Sequence, residues 1–262
     1  MTNMSANEIV KLATDPNRIS TREIISELVD DFIELHGDRY YGDDEAIIGG
    51  IGMIDTTPVT IIGIQKGQTL EENVKTNFGS PSPEGYRKAL RLMKQAEKFH
   101  RPVITLVNTP GAFCGVEAEE RGEGEAIANN LYEMSQLETP ILSILTGEGG
   151  SGGALALAVA NDVWILEHSI YSILSPRGFA AILWKDSSLE SQAAEIMKLT
   201  PTDLKELGVV DRIIKETDDL GELTHTQLIA NLKKEILNQL NIYQTMSPEE
   251  LKVQRYERFR KF

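Results

Sequence analysis

The chain has 262 residues, and 41% of them are hydrophobic, which suits a globular protein with a substantial core. Its 40 acidic and 26 basic residues give a net charge of −14, which argues against nucleic-acid binding because that function needs a basic surface. The single cysteine, Cys114, excludes an internal disulfide and a cysteine zinc site, so we expect no metal in this chain. The apolar runs are too short to span a bilayer and no secretory signal is recognisable, so we predict a cytoplasmic protein.

The first part of the chain is predicted to form one helix and two strands. Apolar residues recur at helical spacing over about residues 21–35, which predicts an amphipathic helix. Apolar segments at 46–53 and 59–64 predict two strands joined by a hairpin turn. A long polar loop is expected to follow, over residues 65–83.

The next predicted element is a helix over residues 84–99 that has an apolar face and flanking basic side chains. We interpret these basic side chains as a solvated helix surface rather than a ligand-binding patch. They are Arg87, Lys88, Arg91, Lys94 and Lys98.

The middle of the chain twice repeats a strand, a glycine-containing loop and a helix. A strand at 102–107 precedes the loop 108–115 and a helix that extends from about residue 118 to 137. A second strand at 140–145 precedes a glycine-rich loop. Both loops follow the carboxyl ends of strands, where α/β folds bind ligands.

Together these elements predict a single α/β domain over residues 1–262. Its core is expected over about residues 44–215, with helical extensions at both ends. The C-terminal extension is predicted to consist of helices within residues 220–262.

The glycine-rich loop belongs to the most informative stretch, residues 146–160, in which five residues are glycine. Glycine allows the backbone to approach a ligand closely and to direct N–H groups at negative charge. The spacing from Gly147 matches a dinucleotide fingerprint, with Glu167 twenty residues further on. The residues around Ser151 also match the nucleophile motif of serine hydrolases. A third interpretation is a tight turn in which small residues allow close packing.

The context weakens both motif interpretations. A dinucleotide fingerprint normally begins its domain, whereas more than 140 residues precede this one. A hydrolase needs a histidine after the nucleophile, and only His168 and His225 follow. We interpret His168 as a turn residue and His225 as a solvated one. Ser151 is therefore expected to serve the turn rather than the chemistry.

Nine short motifs stand in order between about residues 20 and 215. They are His36–Arg39, Gly42–Asp44, Gln65–Gly67, Asn77–Gly79, Pro83–Met93, Asn108–Ala112, Ala118–Gly122, Gly147–Ala156 and Ile182–Lys185. In this order and spacing they resemble the carboxyltransferase α subunits of bacterial acetyl-CoA carboxylase. The collinear match is more specific than any single motif.

The resemblance implies a crotonase-like fold, which is a spiral of strand–strand–helix units. It also implies a reaction in which CO₂ passes from carboxybiotin on a carrier protein to acetyl-CoA, giving malonyl-CoA for fatty-acid synthesis. Such a reaction needs main-chain donors for oxyanions. By this resemblance Gly149, Gly150, Gly152 and Gly153 would form the oxyanion hole, and Pro110-Gly111-Ala112 would line the same cleft.

The resemblance further implies several partners. A separate β subunit would carry a zinc ribbon and much of the acyl-CoA site, and the two subunits would form an α2β2 heterotetramer. A biotin carboxyl carrier protein and a biotin carboxylase would complete the system. Neither a membrane nor a specific nucleic acid is expected as a partner.

Three departures from the family pattern leave alternatives open. Arg177 stands where the family usually has glutamate, Cys114 where it has proline, and Glu117 where it has a glycine that can need a positive φ. A diverged, weakly active or regulatory α-like subunit is one alternative. Another is a stand-alone crotonase-type acyl-CoA enzyme, with Glu117, Glu119 and Glu120 as candidate acid–base groups. Those glutamates are also explained as helix N-terminal charges.

Overall fold

The computed structural model describes residues 4–262. Its helices are α1 (Ala6–Ala13), α2 (Thr21–Leu28), α3 (Leu70–Lys75), α4 (Pro83–Lys98), α5 (Val116–Glu120), α6 (Glu123–Gln136), α7 (Ser151–Leu155), α8 (Pro176–Trp184), α9 (Glu190–Met197), α10 (Pro201–Glu206), α11 (His225–Tyr243) and α12 (Pro248–Phe259). Its strands are β1 (Asp30–Glu34), β2 (Ile47–Ile54), β3 (Thr57–Ile64), β4 (Val103–Thr109), β5 (Ile141–Gly150), β6 (Asp162–Leu166), β7 (Ile170–Ser172), β8 (Arg212–Ile214), β9 (Thr217–Asp218) and β10 (Gly221–Glu222).

The main sheet has eight strands in the order β1-β2-β3-β4-β5-β6-β8, with β7 paired to β5 outside this path. β1, β2 and β3 are antiparallel neighbours, whereas β3, β4, β5, β6 and β8 run parallel. The long strand β5 pairs with β6 through its first half and with β7 through residues 148–150. The glycine-rich end of β5 therefore lies at the point where the sheet divides.

Helices cover both faces of the sheet, because successive side chains of a strand point to opposite sides. Ile48, Ile104 and Trp164 pack on one side with residues of α2 and α11. Ile62 and Val107 pack on the other side with residues of α4 and α6. The terminal helices thus share a core with the strands, and α4 and α6 cover the face beside the two loops.

The predicted helix over residues 21–35 is wrong beyond Leu28, because β1 occupies residues 30–34. β1 pairs antiparallel with β2, whose glycines leave room for it. A Cβ atom on Gly50 would lie 2.2 Å from the carbonyl oxygen of Ile33. Sheet pairing on this close-fitting edge therefore overrides the helical periodicity of the sequence.

Two further elements differ from their predictions. The polar loop over residues 65–83 contains α3, which begins with a capping box between Thr69 and Glu72. The helix predicted from residue 118 to 137 is divided into α5 and α6, because Gly122 adopts a left-handed conformation with φ of 84°. None of the helices within residues 4–262 is long and apolar enough to cross a lipid bilayer.

Candidate functional site

The two predicted loops touch through their main chains. Thr109, the last residue of β4, lies opposite Gly149 of the parallel strand β5. A Cβ atom on Gly150 would lie 2.2 Å from the carbonyl oxygen of Pro110, and one on Gly153 would lie 2.5 Å from the amide nitrogen of Ala112. These distances leave no room for a side chain, so glycine at both positions allows the loops to meet.

The four predicted site glycines divide into two pairs. Gly149 and Gly153 are buried, whereas Gly150 and Gly152 are partly exposed. A Cβ atom on Gly149 would lie 2.9 Å from a side-chain carbon of Tyr171, but one on Gly152 would have only a single neighbour within 4 Å, at 3.9 Å. Gly149 and Gly153 are therefore packed, Gly150 is partly exposed but in close contact with Pro110, and Gly152 presents main chain at the surface of the loop.

Amide groups of both loops are available as donors. β5 continues to Gly150, and α7 begins at Ser151, so the N–H groups of Ser151 and Gly152 have no acceptor within that helix. In the other loop, the Gly111 N–H donates to the Thr109 hydroxyl at 3.0 Å. The Ala112 N–H makes no hydrogen bond to any part of the chain that the structure describes. Together the N–H groups of Ser151, Gly152 and Ala112 can stabilise a negatively charged oxygen.

Ser151 has a positive φ of 48°, as the sharp turn between β5 and α7 requires. Its hydroxyl is not hydrogen-bonded to a histidine anywhere in residues 4–262, so the nucleophile–base pair of a serine hydrolase is not formed. His168 lies 3.8 Å from the Glu216 carboxylate. His225 lies 2.7 Å from the carboxylate of Glu23, and its side chain is 43% exposed, in agreement with its interpretation as a solvated residue.

Glu167, the acidic residue of the dinucleotide pattern, has a structural role. Its carboxylate accepts hydrogen bonds from the N–H groups of Glu216 at 2.9 Å and Thr217 at 3.1 Å. These bonds join the end of β6 to the segment after β8. The carboxylate is thus already satisfied by backbone donors, which argues against a ribose ligand.

Sequence reasoning assigned no role to Asn108 or Lys66, although both stand in the family motifs. The Asn108 side chain accepts the Glu148 N–H at 3.0 Å, and a Cβ atom on Gly147 would lie 2.5 Å from it. Lys66 forms an ion pair with Glu148. Glu148 shares its face of β5 with Gly150, because alternate strand residues point the same way. These contacts brace the glycine-rich end of β5.

The interpretation of the α4 basic residues as a solvated surface is wrong for three of the five. Arg87 donates to Asp38 at 2.8 Å, and Lys88, only 1% exposed, donates to Asp43 at 2.7 Å. Arg91 donates to a backbone carbonyl of the same loop at 3.0 Å. The acidic loop after β1 is therefore fastened to α4, whose first turn lies beside the candidate site. Periodicity analysis could not predict these contacts, because the loop and α4 are far apart in the sequence.

A buried carboxyl group lies at the start of α6. Glu123 is 4% exposed, and neither of its carboxyl oxygens has a hydrogen-bond partner. Burial, reinforced by the nearby carboxylates of Asp44 and Glu84, raises the pKa of Glu123 to about 8. Burial also raises the pKa of Asp44 to about 6. Glu123 is therefore largely uncharged at neutral pH.

This protonation state predicts a pH-dependent stability. A glutamate in the unfolded chain has a pKa of about 4.3. Between that pH and about 8 the folded state holds a proton that the unfolded state has lost, so the contribution of Glu123 falls as pH rises. We expect Glu123→Gln to remove this loss, so that its Tm advantage over the unchanged chain grows from pH 5 to 8 and then stays constant.

Thermal unfolding at a series of pH values measures this difference. Glu125→Gln is the matched control, because Glu125 is an exposed residue of the same helix. The control should follow the unchanged chain at every pH. A constant Tm difference between the Glu123 variant and the unchanged chain would contradict the prediction.

The residues that depart from the family pattern lie at the surface. Cys114 and Arg177 are exposed, and Glu117 has no positive φ, so glutamate is compatible with the backbone at that position. Glu119 and Glu120 are also exposed. Hence none of the candidate acid–base glutamates is desolvated in this structure.

Solved structures with the same arrangement define the fold class. A transcarboxylase 12S structure with methylmalonyl-coenzyme A and methylmalonic acid bound gives a TM-score of 0.72 at 20% identity, covering 92% of this chain and 44% of that chain. The β subunit of geranyl-CoA carboxylase from P. aeruginosa gives 0.69 at 16% identity, covering 95% and 46%. This chain spans less than half of either protein. The chain shares its fold with these proteins, and this fold is crotonase-like, as predicted.

Sequence comparison then identifies the family. The family model described as acetyl co-enzyme A carboxylase carboxyltransferase-like matches residues 1–262, and the chain belongs to that family. An acetyl-coenzyme A carboxylase carboxyl transferase subunit alpha from Streptococcus gordonii is 58% identical, over 97% of this chain and 98% of the relative. Proteins of the same name from Clostridium perfringens and Streptococcus pneumoniae are 57% and 55% identical, over 96% and 99% of this chain and 93% and 100% of theirs.

Proposed function

We propose that this chain is the α subunit of an acetyl-CoA carboxylase carboxyltransferase, which moves a carboxyl group from carboxybiotin to acetyl-CoA and forms malonyl-CoA. The full-length match to the α subunits carries this proposal. The main-chain contact between the Pro110 and Gly150 loops supports it, because that contact creates the donor cluster that the reaction needs.

The loops suit a ligand whose oxygen becomes negatively charged. Gly111 has nothing within 4 Å of an added Cβ atom, and Gly152 has nearly as much space, so a ligand can approach the main chain from these positions. Carboxybiotin, when bound, supplies the carboxyl group. The N–H groups of Gly150, Ser151, Gly152 and Ala112 would hold its ureido oxygen.

The remaining site residues would act through shape. Gly150 and Gly153 would keep the two loops in contact, Gly149 would pack beside Tyr171, and Pro110-Gly111-Ala112 would line the cleft. Because N–H donors do not exchange protons during the reaction, they stay directed at the oxygen throughout. Each such donor contributes about 2.7–4 kcal/mol of transition-state stabilisation in enzymes of known mechanism.

The proposal extends to partners and setting. A zinc-containing β subunit would supply much of the acyl-CoA site and join this chain in an α2β2 heterotetramer. A biotin carboxyl carrier protein would deliver carboxybiotin, and a biotin carboxylase would charge it. The relatives named subunit alpha support a partner subunit. A single domain and a cytoplasmic location stay predictions.

The reverse reaction tests the proposal. The purified chain is mixed with a β subunit of the same system, malonyl-CoA and biocytin, and acetyl-CoA formation is followed. We expect turnover with both subunits and none with either alone. Complex formation without turnover would favour a regulatory α-like subunit, and turnover by this chain alone would favour a stand-alone acyl-CoA enzyme. Both results contradict the proposal.

A further inference from the structure

A fully buried tyrosine lies beneath the two loops. Tyr86, in the first turn of α4, is 0% exposed. It packs in a small cluster with Ala126 and Ala156, and Ala112 of the Pro-Gly loop is packed against the same cluster. Tyr86 therefore packs against α6, the end of α7 and the Pro-Gly loop at the same time.

The hydroxyl group of Tyr86 is aimed at the glycine-rich loop. It donates a hydrogen bond to the Gly153 carbonyl oxygen at 3.2 Å. A Cβ atom on Gly153 would lie 2.8 Å from this hydroxyl and 2.5 Å from the Ala112 nitrogen. Gly153 is thus held between the tyrosine and the neighbouring loop.

The helix that follows is too short to fix its own direction. α7 has only five residues, and a helix this short depends on contacts with its neighbours for its stability and orientation. The bond from Tyr86 ties one of its peptide groups to α4. α4 is itself fastened by ion pairs, including Glu84–Arg121 at 3.0 Å and Arg87–Asp38 at 2.8 Å.

We propose that Tyr86 is a positioning residue of the carboxyltransferase site, whose hydroxyl directs the N–H groups of the first turn of α7 toward the reacting oxygen. This inference rests on the proposed function. Tyr86 itself does not touch substrate. Burial, with the nearby carboxyls of Glu123 and Asp44, raises its pKa well above the ordinary value, so the hydroxyl stays a donor.

Tyr86→Phe removes the hydroxyl and keeps the ring. In the assembled enzyme we expect kcat for malonyl-CoA decarboxylation with biocytin to fall about tenfold, a part of the 10²–10³-fold lost when an oxyanion donor itself is removed. KM for malonyl-CoA should change by less than about twofold, because the Tyr86 hydroxyl does not contribute to binding of the ground-state substrate. An unchanged kcat in an assembled Tyr86→Phe enzyme would overturn the inference.

Thr105→Val is the matched control. The Thr105 hydroxyl is also buried and donates to a backbone carbonyl, that of Leu157 at 2.7 Å, but it lies outside the two loops. Its loss should leave kcat unchanged. A similar fall of kcat in both variants would show a general effect of a lost buried hydrogen bond and would overturn the inference.

A second pair of variants separates hydrogen-bond donation from packing, and it applies even if the phenylalanine variant does not assemble. Site-specific replacement of Tyr86 by 4-aminophenylalanine keeps a donor at the ring position, whereas 4-methylphenylalanine fills similar space without one. We expect kcat to be near normal with the amine and about tenfold lower with the methyl group. Equal rates in the two variants would overturn the inference. If the assembled enzyme without any substitution is inactive, that result would instead contradict the proposed function.

Discussion

Replacing Gly150 by alanine is expected to lower kcat of the assembled enzyme by about 10²–10³-fold, which corresponds to the loss of one oxyanion donor. The added Cβ atom would lie 2.2 Å from the carbonyl oxygen and 2.3 Å from the carbonyl carbon of Pro110. Both atoms belong to the main chain, so no change of side-chain rotamer relieves the overlap. The two loops must move apart, and the donors on them lose their common direction.

Steady-state kinetics of the reverse reaction measures this loss, with complex formation checked by co-elution with the β subunit. Gly124→Ala is the matched control, because an added Cβ atom at that α6 position has nothing within 4 Å. Alanine there should leave kcat unchanged and favour the helix by up to about 1 kcal/mol. Full activity of Gly150→Ala would contradict the proposal that the reaction depends on the contact between the two loops.

The second large effect is expected at Arg255 in α12, which is 1% exposed. Its guanidinium donates to the backbone carbonyls of Met134 at 2.6 Å, Leu137 at 2.7 Å and Thr139 at 2.8 Å. A fourth bond reaches the Asn161 side chain at 2.7 Å. Arg255→Met leaves the three buried carbonyls without this donor, whereas the Asn161 oxygen keeps the Ile141 N–H, so we expect the free energy of unfolding to fall by roughly 3–5 kcal/mol.

Urea unfolding of the isolated chain measures this change. Arg260→Met is the control on the same terminal segment, because Arg260 is exposed, and its effect should stay within about 0.5 kcal/mol. Equal midpoints for the two variants would show that the C-terminal helix does not stabilise the sheet. The bonds of Arg255 reach the turn between α6 and β5, so they connect this helix to the strand that carries the site glycines.

Burial decides where sequence reasoning succeeds in this chain. The strands predicted at 102–107 and 140–145 correspond to β4 and β5, because buried parallel strands consist of continuous apolar residues bounded by turn signals. The helix predicted over 84–99 corresponds to α4, because its buried face consists of apolar residues at regular helical spacing. β1 and the partners of Lys88 escaped prediction, since both depend on residues distant in the chain.

The sequence by itself determined the family, the α/β class and the two loops in which the site glycines and the Pro-Gly turn stand. These features depend on motif order, apolar periodicity and the conformational freedom of glycine, which are local properties. Only the tertiary structure decided which glycines are buried, which are partly exposed, and that Tyr86 lies beneath them. Those features depend on distances between chain segments, because the close contact of Gly150 with Pro110, which leaves no room for a Cβ atom, exists only after β4 and β5 have paired.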